Sequence, residues 1–296
     1  MHLNQVAAPL QHWFTHRASE MLTDNHYVRC LLIDFSRAFD TVDHSILMSK
    51  LTTFDIPQSV VNWVCSFLTG RSQVCKVNGI LSESRKINRS IVQGSGIGPT
   101  LYVVVESDLK PLSSQNDIFK FADDTNLLVP ENSDVVIEVE FNHVKDWAVL
   151  NRLHINVAKT KEIILRRPRP FNSDVLLPPP LDGVEQVYVA KLLGIIYQNN
   201  FKMNEHVNYI LTQCSQRMYL LKLLRSQGLN TKQLGIIAHS LIISRIRYAL
   251  PAWSGFISVD LIHRVDALFR RLKRYGGRPA PHLANSILRA GSTEFR

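Results

Sequence analysis

Cysteine is scarce in this chain, and the four present form no pattern. Cys30, Cys65, Cys75 and Cys214 lie too far apart for a C-x-x-C zinc pair, and with no secretory signal to suggest an oxidising compartment they read as reduced packing residues. The opening stretch, MHLNQVAAPLQHWFTHRASE, lacks the apolar run of roughly 7 to 15 residues that marks a signal peptide. Nowhere do roughly 18 apolar residues run without charge, which excludes an obvious spanning helix. No repeat of roughly 20 to 50 residues is visible, which sets solenoids and propellers aside. These absences lead to the expectation of a soluble intracellular chain, with nucleus and cytoplasm left undecided.

What is present suffices for a core. The chain has 296 residues, of which 45% are hydrophobic, enough for one large or two modest domains and too apolar for disorder. The net charge of +9 is unevenly spread. Residues 1–200 hold 19 basic and 21 acidic side chains, net −2, whereas residues 201–296 hold 15 basic and 4 acidic, net +11. A polyanion is therefore the expected partner of the last third. The run RRLKR at Arg270 to Arg274 reads as a solvated helix face in preference to a targeting signal.

Tyr27 to Phe35 (YVRCLLIDF) reads as a buried strand that delivers Asp34 to its end. Beyond Pro57, the residues Val60, Val61, Val64, Phe67 and Leu68 have helical spacing, closed by Gly70. Ser72 to Ile91 predicts a hairpin about Asn78-Gly79, a dipeptide suited to a tight turn. The stretch QGSGIGP (Gln93 to Pro99) leads into a helix over Thr100 to Leu109, although Val103 to Val105 favours a strand. Ile118 to Val129 predicts a second hairpin with Asp123 and Asp124 at its tip, and Ser133 is a candidate cap for a helix carrying Ile137, Phe141, Val144 and Ala148. Arg166 to Pro180 holds five prolines and reads as a loop or boundary, followed by a strand pair near Val187 to Ile196. Two helical stripes come last: Val207, Ile210, Leu211, Cys214, Met218 and Leu221, stopped by Gly228, and then Leu261, Val265, Leu268, Phe269 and Leu272.

An Asp-Asp pair in a hairpin turn is structurally ordinary on its own. Asp34 changes the balance, because a carboxylate at the end of an apolar strand has no structural reason to sit there. If that strand and the Asp123-Asp124 hairpin are neighbours, three carboxylates converge on one sheet edge and repel one another unless divalent cations neutralise them. Oxygen ligands suit Mg²⁺, and a pair of such ions would clamp the attacking and leaving oxygens of a phosphoryl transfer.

The strings LLIDFSRAFDTVDHSIL, IVQGSGIGPTLY, KFADDTNLLV, NRLHINVAKTKEIIL and KLLGIIYQNNFKMNEHV occur in that order. They resemble motifs A to E of the reverse transcriptases of non-LTR retrotransposons, in their jockey and CR1-like branch, over roughly Val28 to Ser258. The resemblance implies RNA-directed DNA polymerase chemistry with two Mg²⁺ ions, Mn²⁺ being able to substitute, held by Asp34 and Asp123 with Asp124 beside them. It implies further that Phe35 lends a backbone carbonyl, that Phe39 is the steric gate beneath the incoming sugar, and that Gln93 and Gly94 pack on the nucleotide. Lys159 matches the lysine that protonates departing pyrophosphate, and Leu193 and Gly194 match the hairpin that grips the primer end. For Phe39 a core role, and for Lys159 a solvated surface role, stay open. Arg71 suits a template or phosphate contact as well as a surface ion pair. Val92 stands where many relatives carry proline.

The expected fold class is therefore α+β: a polymerase palm, antiparallel sheet with helices, with partial fingers over residues 1–168. A proline-rich loop and hairpin follow over 169–200, and a basic, mostly helical thumb over 201–296, in which Arg270, Arg271, Lys273 and Arg274 would contact nucleic acid. The expected partners are an RNA template, a DNA primer or RNA-DNA hybrid, and deoxynucleoside triphosphates. Only Met1 to His26 precede the first motif, so an N-terminally truncated polymerase is expected, and a non-catalytic nucleic-acid-binding remnant lacking the fingers is the alternative. A palm-fold nucleotidyl cyclase leaves the basic thumb unexplained.

Overall fold

The computed structural model describes residues 3–167 and 176–274. Most of the five-proline segment expected between Arg166 and Pro180 lies outside those residues, as does the end of the basic region, 275–296. Helix α1 (Leu3–Asp24), with Pro9 inside it, is an element that the sequence patterns do not announce. Strand β1 (Tyr27–Ile33) is the apolar run expected of a buried strand. Short helices α2 (Ala38–Thr41) and α3 (His44–Leu51) follow, and the second is capped by Asp43, whose carboxylate accepts the Ser45 and Ile46 N–H groups. Pro57 then opens α4 (Gln58–Leu68).

Four two-residue strands come next: β2 (Ser72–Gln73), β3 (Lys76–Val77), β4 (Ile80–Leu81) and β5 (Arg85–Lys86). β2 pairs with β5 and β3 with β4, about a turn in which Asn78 and Gly79 both take positive φ, 50° and 84°. Helix α5 (Gly98–Val105) carries Pro99 in its first turn and forms despite its three valines, because burying Leu101, Tyr102 and Val105 outweighs their weak preference for strand. Strands β6 (Asp117–Phe121) and β7 (Asp124–Pro130) form the second hairpin, and α6 (Ile137–Leu150), β8 (Lys161–Arg166), β9 (Glu185–Val187), β10 (Val189–Leu192) and β11 (Ile195–Gln198) follow. The rest is helical: α7 (Asn204–Ser226), α8 (Thr231–Ala238), a π turn over His239–Ile243, α9 (Ser244–Arg247), α10 (Leu250–Trp253), a 3₁₀ turn over Ser254–Phe256, and α11 (Val259–Lys273).

The main sheet has the order β6-β7-β1-β8-β9, with β6 and β7 antiparallel, and β10 and β11 make a separate antiparallel pair. The class is α+β, as expected. Two compact units are distinguished: Cys30–Glu162 with Pro180–Glu185, and Met1–Arg29 with Ile163–Pro179 and Gln186–Arg296. The core of the first gathers Leu31, Ile33 and Phe35 with Leu101, Tyr102, Leu127, Phe141 and Trp147. In the second, every member of both expected helical stripes is buried. Among the described residues no helix is long and apolar enough to cross a membrane.

Three local expectations fail. Ser133 does not cap α6, which begins at Ile137; its hydroxyl instead donates to Asn116 Oδ1. Val60 lies on the open side of α4, and only Val61, Val64 and Leu68 are buried there, since a single helix turn cannot bury adjacent positions on one face equally. Cys30 and Cys214 are buried packing residues as expected, whereas Cys65 and Cys75 are exposed.

Candidate active site

β1 is buried because it is a near-continuous apolar run, and the first residue past it is Asp34. The backbone there is clamped by the loop that follows α6. The Asn156 N–H donates to the Asp34 carbonyl (2.7 Å), the Asp34 N–H donates to Thr160 Oγ1 (3.3 Å), and the Ser36 N–H donates to the His154 carbonyl (2.7 Å). Phe35 forms an isolated bridge with Ile155, and its ring sits edge-on to Trp147 at 6.2 Å, so its side chain belongs to the core. Asp34 is thereby presented half-buried on a rigid backbone.

The hairpin supplies the other two carboxylates. Phe121 pairs with Asp124, which leaves Ala122 and Asp123 as a two-residue turn. Ala122 has φ 52°, a left-handed conformation that costs a residue with a Cβ about 1–2 kcal/mol. Strain of this kind persists where the surroundings fix it, and functional turns are a common place for it. Asp123 and Asp124 are both open to solvent. Enough protein nevertheless surrounds the Asp124 carboxyl to push it above the ordinary carboxylate range, first by desolvation and then by the charges of Asp123 and Asp34. The three acids thus come within electrostatic reach of one another. They stop short of a closed ligand set: among the described residues no three His, Cys, Asp or Glu side chains form a group able to hold a metal ion as they stand.

The residues expected to meet a nucleotide sit on α2, on the loop before α5 and on the loop that follows α6. Phe39 is half-buried and stacks on Tyr102, centroids 4.7 Å apart and planes 23° from parallel. Gln93 is exposed and donates through Nε2 to Asp40 Oδ1 at 2.9 Å, and Gly94 has φ 81°, which a larger residue would resist. Lys159 is exposed at the end of the same loop that clamps Asp34, its N–H bonded to the Asn156 carbonyl at 3.1 Å. The Arg71 guanidinium lies 4.4 Å from the Phe67 ring centre, a cation–π contact. In the other unit, Leu193 (φ 46°) and Gly194 (φ 91°) make the tight turn between β10 and β11. Arg270, Arg271, Lys273 and Arg274 are all exposed, off the buried stripe of α11.

The family model described as reverse transcriptase (RNA-dependent DNA polymerase) matches residues 1–210. The chain belongs to the reverse transcriptase family. Among its relatives in Drosophila melanogaster is the probable RNA-directed DNA polymerase from transposon BS, 27% identical over 280 residues, covering 89% of this chain and 30% of that protein. Another is the RNA-directed DNA polymerase from mobile element jockey, 26% identical over 281 residues, covering 88% and 30%. The chain therefore spans about a third of the length of these relatives. Among solved structures, telomerase from Candida tropicalis in complex with the TWJ fragment of telomeric RNA aligns at 12% identity and a TM-score of 0.47, over 98% of this chain and 50% of that one.

Three residues for which the sequence suggests no role lie among these groups. Asp40 holds the Gln93 amide, and Tyr102 carries the Phe39 ring. Glu106 is only 2% exposed and lies beneath the hairpin, where Thr125 Oγ1 approaches its carboxyl at 3.5 Å and the Lys120 ammonium bonds its backbone carbonyl. Burial raises the Glu106 carboxyl to about 8, and the Asp123 charge adds to the rise against the pull of the Tyr102 hydroxyl, Lys120 and Thr125. An acid inside the apolar stretch LYVVVESDL was the available signal for Glu106.

Proposed function

We propose that this chain carries the catalytic core of an RNA-directed DNA polymerase. In this reading a primer 3′-hydroxyl attacks the α-phosphate of a deoxynucleoside triphosphate paired to an RNA template, and pyrophosphate leaves. The observation that carries it is that the end of β1 and the tip of the β6–β7 hairpin, remote in sequence, bring three carboxyls into electrostatic reach: Asp124 is raised by desolvation first and then by the charges of Asp123 and Asp34. Mutually repelling, oxygen-only donors fit hard divalent cations. Asp34 and Asp123 would hold two Mg²⁺ ions, or Mn²⁺ in their place, with Asp124 alongside; when bound, such ions lower the pKa of the attacking hydroxyl and steady charge on the leaving oxygens.

The chain's own residues take the remaining roles. The Asn156 and Thr160 clamp holds the Asp34 backbone so that its carboxylate needs no reorganisation at the reacting centre. The Phe35 carbonyl faces the triphosphate, and Phe39, braced by Tyr102, lies under the sugar and excludes a ribose 2′-hydroxyl. Gln93, steadied by Asp40, packs with Gly94 against the incoming nucleotide. Lys159 gives its proton to the departing pyrophosphate. Leu193 and Gly194 meet the primer end, Arg71 contacts the template strand, and the basic face of α11 tracks the hybrid backbone. Residues 1–168, 169–200 and 201–296 are accordingly palm with partial fingers, motif E hairpin and thumb.

Primer extension on an RNA template with Mg²⁺ tests this. Asp123→Asn is expected to lower the rate roughly a hundredfold or more, since removing one ligand charge forfeits several kcal/mol of transition-state stabilisation. Equal rates in parent and variant would exclude Asp123 as a ligand. Phe39→Ala is expected to admit ribonucleotides, and unchanged sugar selectivity would remove the gate role.

A further inference from the structure

The Leu193–Gly194 turn is held by side chains that no motif of the sequence assigns. Leu193 is a non-glycine residue in the left-handed region, and its carbonyl receives two donors: the Tyr248 hydroxyl at 2.7 Å and the Gln11 amide. The same Gln11 Nε2 lies 3.3 Å from the Tyr248 oxygen and 3.5 Å from the Leu192 carbonyl, so both donors and the turn form one cluster. The Tyr248 ring also closes over Gly194. A Cβ added there would sit 3.1 Å from its Cε1, tighter than ordinary contact.

Both donors are themselves anchored. Thr15, one helical turn along α1 from Gln11, bonds the Gln11 carbonyl at 2.9 Å and the Tyr197 hydroxyl of β11 at 2.8 Å. Tyr248 ends α9 with its N–H on the Ser244 carbonyl (3.0 Å) and its own carbonyl on the Trp253 indole (3.1 Å), and the next residue, Ala249, is again left-handed at φ 47°. Gln11 is wholly buried, and its Oε1 has no partner among the described residues. A leucine would fill that place without burying an unpaired oxygen. Retaining an amide there serves the shape of the turn at the expense of stability, a trade expected where a turn's conformation is functional.

We propose that Gln11 and Tyr248 are positioning residues that fix the Leu193–Gly194 turn in the conformation that meets the 3′ end of a primer strand. This rests on the primer-contact reading of that turn. The full chain can be tested by fluorescence anisotropy on an RNA template annealed to a DNA primer with a recessed 3′ end, against a blunt hybrid of equal length. The parent is expected to prefer the recessed end. Tyr248→Phe keeps the ring on Gly194 and removes only the donor, and it should cut that preference about two- to tenfold. Its affinity for the blunt hybrid should not change, and its melting temperature should fall by no more than about 2–4 °C, the cost of one hydrogen bond. Gln11→Leu should act in the same direction, and Gly194→Ala should lower the preference by displacing the turn.

If Gly194→Ala loses the preference while Tyr248→Phe and Gln11→Leu keep it, the inference fails and the primer contact stands. A parent without any preference for the recessed end overturns the primer contact and the inference together. Equal losses of blunt-hybrid affinity in Tyr248→Phe would reduce the residue to a structural role and overturn the proposal.

Discussion

His206 is a neutral imidazole by construction. The Ile196 N–H donates to its Nδ1 at 3.3 Å, the ring meets Trp253 edge-on at 5.4 Å, and only 2% of its surface is open. Burial, aided by the Arg245 charge, depresses it to about 4. The unfolded chain therefore binds a proton near pH 6.5 that the folded chain refuses until about 4, so stability present above pH 6.5 is lost as pH falls through that window. The loss attributable to this group is roughly 3 kcal/mol. Urea unfolding at about pH 7 and about pH 4.5 should show His206→Gln falling less than the parent, and equal slopes would refute the assignment. Asp43 has the same sign for a different reason. Hydrogen bonds from Ser45, Arg152 and Ile46 outweigh its burial and hold it at about 2. Its contribution is present above about pH 4 and fades toward about pH 2, and Asp43→Ala, which also uncaps α3, should cost about 1–2 kcal/mol at neutral pH. A variant as stable as the parent would show that the cap is dispensable.

At the scale of elements, the β6–β7 hairpin turns on a residue poorly suited to it. Ala122 takes a positive φ that glycine would adopt freely. Ala122→Gly relieves about 1 kcal/mol of strain, while the more flexible unfolded chain returns roughly half of that. A net gain of about 0.5 kcal/mol in urea unfolding is expected, and a loss above about 1 kcal/mol would mean that the turn is unstrained. By contrast, the Asn78-Gly79 hairpin has the residues its turn requires, which is why it was legible from two letters of sequence. Helices α7 and α11 were equally legible, because their buried residues recur with helical period. The start of α6 was not, since Ser133 is drawn to Asn116, and a hydroxyl's choice of partner depends on what lies nearby in space.

For the whole molecule, net charge is the property that reaches furthest. The +11 over residues 201–296 includes Arg270, Arg271 and Arg274, all exposed and all off the α11 stripe, so replacing them leaves the core intact. Binding to an RNA-DNA hybrid should weaken as salt rises, with a log–log slope of roughly −0.9 per neutralised phosphate. Changing the three arginines to alanine should flatten that slope by about 0.9 for every phosphate they neutralise in the parent, with circular dichroism unchanged. A triple variant that retains the parent slope would make the basic helix a solvated face and nothing more.

By itself the sequence determined which segments are strand or helix wherever burial is periodic, that Asp34 ends an apolar strand, and that an Asp-Asp pair tips a hairpin. Those features depend on neighbours within a turn or a strand, and local chemistry is written locally. Tertiary structure alone decided which remote groups meet. It set Asn156 and Thr160 on the Asp34 backbone, Asp40 on Gln93 across 53 positions, Glu106 beneath the hairpin, and Gln11 on a turn 182 positions away. The partners in these pairs cannot be read from periodicity or composition, because each pair forms only when sheet order and helix docking bring two polar groups together, and a buried group must then find a partner.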